Sequence, residues 1–192
     1  MAVPTDRVPT DRAAAVRAAL RSLVARNGFH GASMNAVARE ASVATGTAYT
    51  HYASKDELVL AAYCETKAAL GLAVTAGLGP DLSADLRFRA LWLACYRYAK
   101  ANPDDARFLL QVDYSPYRGP AHKSAQANEN DPLLAQVALP VFATRLLPLP
   151  VDVLYELSLS PAVRLAAGGI ELSQAQLDEI ADACWRAVSR PA

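Results

Sequence analysis

Apolar positions recur every three to four residues along most of this chain, the period of helices that bury one face, and no stretch reads convincingly as a strand. Val16, Leu20, Leu23 and Val24 line a first helix over 13–27, and Gly28 stops it. Met34, Val37, Ala38 and Ala41 repeat at i, i+3, i+4 and i+7 over 33–41. Ser33 stands at its start, where a hydroxyl can accept an orphan backbone N–H. Ser42-Val43-Ala44 leaves room only for a turn before a third short helix over 45–52. Ser54 and Glu57 have capping-box spacing and open a fourth helix over 54–75, which the Gly77-Leu78-Gly79-Pro80 cluster ends.

The later helices follow the same logic. Ser83 opens a fifth helix, ended by Asn102-Pro103. It carries one stripe of Leu86, Ala90, Leu93 and Ala94 and another of Leu91, Trp92, Cys95 and Ala99, so it is apolar on most sides and predicts a buried central helix. A sixth spans 104–114. Residues 115–130 have the composition of a polar loop. Asp131-Pro132 opens a seventh helix to 147 with a bend at Pro140, and an eighth spans 151–167 with a break or kink at Pro161. The ninth, over 174–189, starts with a Ser173–Gln176 capping box. Its stripe of Leu177, Ile180, Ala181, Cys184 and Val188 is the cleanest in the chain. The reading is all-α, about nine helices.

At residues 32–58 the chain resembles a known family. The run AREASVATGTAYTHYASKDEL is similar to the DNA-binding signature of TetR-type transcriptional regulators, through Ala41, Val43, Gly46, Thr47, Tyr49, His51, Tyr52, Ser54, Lys55 and Leu58. Two short helices around a tight turn form a helix-turn-helix, whose second helix enters the major groove. Thr45, Thr47 and Thr50 can reach base edges through hydroxyl and methyl groups. Tyr49, His51 and Lys55 can contact phosphates, roles that the resemblance also implies. Gly46 allows close backbone approach, Ser33 at the start of the preceding helix is a further candidate DNA contact besides its role as a cap, and Tyr52 packs between helices. The chain departs from the family at Ser42, where Gly is usual, and at Ala44, where a hydroxyl is usual. Thr45 is the candidate to replace that cap.

The resemblance implies two parts: a helix-turn-helix DNA-binding domain over residues 1–55, and a larger helical ligand-binding and dimerisation domain over 56–192. Charge agrees with that division. Residues 1–55 hold seven Lys/Arg and three Asp/Glu, a balance of +4, while the whole chain is neutral. Tyr63, Trp92, Cys95, Tyr96, Phe108, Tyr114 and Phe142 are the candidates to line an effector pocket. The last two helices are implied to pair with a second copy, which makes Leu177, Ile180, Ala181, Cys184 and Val188 the candidate dimer interface. A tandem VPTDR at 3–12 reads as an arm, with Arg7 and Arg12 able to touch DNA. Arg17 and Arg21 share an outer face that is expected to be solvated.

Other chemistry finds no support. The chain has no GxGxxG, P-loop, HExxH or nucleophile elbow, so neither an enzyme nor a cofactor is expected. Cys64, Cys95 and Cys184 are far apart, odd in number and read as small buried hydrophobes rather than zinc ligands or a disulfide. His122, in the polar stretch, is the one histidine free to meet a ligand. The most apolar run, 133–151, contains Gln136, Arg145 and three prolines, so no membrane span and a cytoplasmic location are expected. The expected partners are a double-stranded DNA operator, a small apolar or aromatic effector, and a second copy. The competing reading is a helical ligand-binding or scaffolding protein without operator binding, which Ser42 and Ala44 alone support.

Overall fold

The computed structural model describes residues 11–191. The proposed arm, Arg7 included, lies outside the described residues except for its last two positions. Twelve α-helices follow in order: α1 Arg12–Asn27, α2 Met34–Glu40, α3 Thr45–His51, α4 Lys55–Thr75, α5 Ala84–Ala101, α6 Pro103–Asp113, α7 Arg118–Gln126, α8 Pro132–Val137, α9 Pro140–Ala143, α10 Val151–Leu157, α11 Ser160–Ala167 and α12 Gln174–Val188. A single 3-10 turn, Phe29–Gly31, links α1 to α2. Among the described residues there is no strand, only one antiparallel bridge between Leu146 and Ser189.

The caps lie where side-chain chemistry places them. The Asp11 carboxylate accepts from the N–H groups of Ala13 and Ala14. Ser33 accepts from Ala36, and Ser54 from Glu57, whose carboxylate reaches back to the Ala53 N–H. Asp131 caps α8 ahead of Pro132, and Ser173 with Gln176 forms a reciprocal capping box on α12.

Twelve helices replace the nine expected because two divide and one is new. Pro140 divides its helix where only a bend was expected, and Pro161 makes the break expected of it. Each lacks an N–H and crowds the carbonyl four residues back, so α8 stops before α9 and α10 before α11. The stretch expected to be a loop forms α7. Its own sequence is weakly apolar, and its order comes from α4: Ala121 is buried, the His122 ring stacks on Tyr63 at 5.8 Å, and Ser124 meets Cys64 at 3.3 Å. Tertiary contact overrides composition here.

The core is continuous from the α1–α3 unit to α12. α5 is central, with Leu91, Trp92, Cys95, Tyr96 and Ala99 buried among α4, α11 and α12. Its other predicted stripe is only partly covered, and Leu86 is exposed. α4 is long and apolar enough to cross a membrane by length and composition, but in this fold it packs against α1, α5 and α7. Cys95 and Cys184 are buried and Cys64 half-buried, all as free thiols.

The α2–α3 turn carries the family departures as physical strain. α2 ends in a Schellman motif: the Val43 N–H reaches the Ala38 carbonyl at 2.9 Å and the Ser42 N–H reaches Arg39 at 3.1 Å. This geometry puts Ser42 at φ +55°, the one non-glycine residue with positive φ among those described. At α3, Ala44 occupies the N-cap without a side-chain bond, and Thr45 does not replace it. Ser42→Gly should therefore stabilise the fold by about 0.5–1 kcal/mol, the relief of left-handed strain less the extra freedom of glycine in the unfolded chain. Ala44→Ser should add roughly 0.5–2 kcal/mol. Urea midpoints at equal m-values check both, and a midpoint lowered in either variant would contradict this turn geometry.

Candidate nucleic-acid interface and internal cavity

The outer face of α3 is polar and open. Gly46, Tyr49, Thr50 and His51 are exposed, Thr45 and Thr47 half-exposed, and Ala48 is the buried anchor. A Cβ added at Gly46 would meet nothing within 4 Å, so that backbone is open to solvent. The Thr50 hydroxyl donates to the Gly46 carbonyl at 2.9 Å, which leaves only its lone pairs and methyl for a partner. No such bond engages Thr47. Beside α3, Phe29, His30, Ser33, Met34, Asn35, Tyr49 and Lys55 line a shallow recess. The Lys55 ammonium donates to the Phe29 carbonyl and lies 5.7 Å from that ring's centroid. Partial burial pulls its pKa below the usual lysine range, yet two of its three donors stay free.

Behind this surface, Arg17 and Arg21 of α1 are not a solvated face. Arg17 donates to the Tyr52 hydroxyl and to Glu65 of α4, and Arg21 to the other Glu65 oxygen and, at 2.9 Å, to Asp105 of α6. Burial alone would raise the Glu65 carboxyl, but the two guanidinium hydrogen bonds outweigh it and hold the pKa below the usual range. Tyr52, at the end of α3, is buried in this network as the sequence implied. The network ties the end of α3 to α1, α4 and α6.

The second feature is a cavity of about 130 Å³ that is partly open to solvent. α4 supplies Tyr63 and Lys67, α5 Phe88 and Leu91, α7 His122, and α8 to α10 most of the remaining wall, including Leu134, Phe142 and Tyr155. Of the seven residues expected to line a pocket, the structure brings only Tyr63 and Phe142 to it. Trp92, Cys95, Tyr96 and Phe108 are core side chains: the Trp92 indole N–H donates to the Ser158 carbonyl at 3.1 Å, and Tyr96 stacks on Trp92 at 6.2 Å. Tyr114 is 72% exposed, under the Arg164 guanidinium. Lys67 and Tyr155 were missed. Lys67 lies four residues after Tyr63, on the same face of α4, a spacing visible in the sequence.

His122 is held between two carboxylates, with Nε2 2.9 Å from Asp113 and Nδ1 3.3 Å from Asp152. The Asp113 hydrogen bond leads the effects that raise its pKa, against desolvation. The stripe of α12 is likewise placed differently from the expectation. Leu177, Ala181, Cys184 and Val188 are buried against the chain's own α5 and α10, and Ile180 is half-buried against the same core. An amphipathic stripe reports that a face is covered, not what covers it.

Comparison with known proteins accounts for both halves. Residues 16–62 match the profile described as bacterial regulatory proteins of the tetR family, and residues 84–189 match that of the tetracyclin repressor-like C-terminal domain. The chain is 28% identical over 176 residues to an uncharacterized HTH-type transcriptional regulator of Haemophilus influenzae, covering 88% of this chain and 90% of that protein. Its fold is similar to the crystal structure of a TetR-family regulator from H. influenzae, with a TM-score of 0.72 at 26% identity over 94% of this chain and 98% of the other. It is also similar to a putative TetR-family regulator from Vibrio parahaemolyticus, with a TM-score of 0.71 at 27% identity over 94% and 100%. The helix-turn-helix and the helical remainder each match the family separately, so the chain belongs to the TetR family of transcriptional regulators, which are DNA-binding proteins and not enzymes.

Proposed function

We propose that this protein is a cytoplasmic homodimeric repressor, released from a palindromic operator by a small, largely apolar effector bound in the α4–α10 cavity. Residues 1–55 form the DNA-binding part and residues 56–192 the effector and dimer part. One observation carries the reading: α4 runs without a break from Lys55, at the DNA face, to Tyr63 and Lys67, in the cavity wall. Twelve residues of helix span roughly 18 Å as one rigid rod. A ligand that displaces the α4 wall displaces Lys55 with it, and the Arg17–Glu65–Arg21 bonds carry the same shift to Tyr52 and α3. Two copies bound by an effector would then hold their recognition helices at a spacing that no longer matches successive major grooves.

Selection from random duplexes should return a palindromic motif with half-site centres about 34–36 Å apart. On that operator, Thr47→Ala should change preference at one base pair by roughly 1–3 kcal/mol. Lys55→Ala should weaken all sequences alike and reduce the salt slope by about one. A selection without an enriched motif removes operator binding. A Lys55→Ala protein with altered sequence preference and an unchanged salt slope reverses the two roles.

A further inference from the structure

The polar groups of the cavity are unequally engaged. Its carboxylates are occupied: Asp131 accepts from the Leu133 and Leu134 N–H groups at 2.8 and 3.2 Å, and Asp152 accepts from Gln126 at 2.8 Å and contacts His122. Its donors are not. Lys67 makes no ion pair or hydrogen bond among the described residues; its ammonium sits 4.4 Å from the Tyr155 ring centroid. Burial holds the phenols of Tyr63 and Tyr155 far above the usual tyrosine range, so both are neutral donors. The Gln136 carbonyl oxygen accepts from Arg87 at 3.1 Å, which leaves its NH2 as a donor at the cavity wall. Arg87 itself is buried with no carboxylate partner; its other bonds go to the Gly79 and Pro80 carbonyls, and its Nε has none.

We propose that the cavity takes a monoanionic amphiphile, a carboxylate on an apolar chain, with Lys67 pairing its head and Phe88, Leu91, Leu134 and Phe142 covering its tail. The inference rests on the reading of this cavity as the effector site. Charge decides the class. A cationic head would find the cavity's carboxylates already bonded and would meet Lys67 as a like charge between mostly apolar walls. An uncharged ligand that filled the cavity would strip water from Lys67 and return no partner, which is unfavourable for a charged group. A carboxylate supplies that partner and can accept from the neighbouring phenol as well.

Titration calorimetry of the full-length protein with decanoate, 1-decanol and decyltrimethylammonium, each below its micelle concentration, separates the classes. Wild type should bind decanoate at least tenfold more tightly than decanol, and decyltrimethylammonium least. Lys67→Met, which keeps the length and removes the charge, should lose at least tenfold in decanoate affinity with decanol unchanged, and Lys67→Arg should restore most of it. Decanol binding as tightly as decanoate, or decanoate affinity untouched by Lys67→Met, overturns the anionic class and leaves the cavity as a ligand site. Tightest binding of the ammonium probe overturns it in the same way. Binding of none of the three overturns both the class and the cavity reading.

Discussion

Trp92→Ala should lower the free energy of unfolding by about 3–5 kcal/mol, the range for truncating a fully buried tryptophan. Its ring has no solvent exposure, stacks on Tyr96 with an interplanar angle of 3°, and lies where α5 packs on α11. The indole N–H also satisfies the carbonyl of Ser158, between α10 and α11. Truncation therefore opens a void and strands a buried acceptor, two costs that add. Trp92→Phe keeps most of the volume and loses the hydrogen bond, so it should cost about 1–2 kcal/mol. Urea unfolding at one fixed protomer concentration reads both, since association would make midpoints concentration-dependent. A wild-type midpoint for Trp92→Ala would remove this packing. Because Trp92 does not line the cavity, Trp92→Phe should also leave decanol affinity unchanged.

Trp92 also marks the boundary of what one-dimensional pattern conveys. The helical period of α5, its central position and its burial were legible, because a helix apolar on most sides has no wet face to offer. Which of its aromatics faced a void was not legible, since a cavity is a property of how several helices fail to meet. α7 and the short helices α8 to α10 decide that, and the sequence gives them little signal of their own: α7 is ordered by α4, and α8 to α10 are cut by prolines. The helix-turn-helix was legible to within a residue or two because its caps and its turn are local. Even there the turn added something. Ser42 is held at positive φ by the Schellman bonds to Ala38 and Arg39, so the departure from glycine survives as strain rather than as a change of shape.

The Arg17–Glu65–Arg21 cluster was misread for a related reason. Two arginines four residues apart on a helix look solvated until an acid from another helix is placed between them. Glu65 is such an acid, forty-odd positions away in sequence. Nothing local in α1 signals it, and it links the DNA-facing helices to the cavity-facing ones.

Ala183→Arg should convert the proposed dimer to a folded monomer and lower operator affinity by at least about 10³-fold, towards the non-specific level. Leu177, Ala181, Cys184 and Val188 are buried in the chain's own core, so a partner must use another face of α12, and the one flanking this stripe is the least charged. That flanking face presents Gln176, Ala183 and Ala187, with Ile180 between them and the buried stripe, and its small side chains let a second helix approach closely. In the single chain Ala183 is exposed, so a substitution there should change protomer stability by no more than about 0.5 kcal/mol. The new guanidinium would even lie four residues after Glu179, a favourable order on a helix. Within a two-fold interface the same side chain meets a helix packed against it and must be desolvated without a partner. One recognition helix contacts too few phosphates to hold an operator alone. Light scattering and operator titration on one sample settle the matter. A variant that stays dimeric moves the interface off this face of α12. A folded monomer that binds the full operator at wild-type affinity breaks the link between dimerisation and DNA recognition.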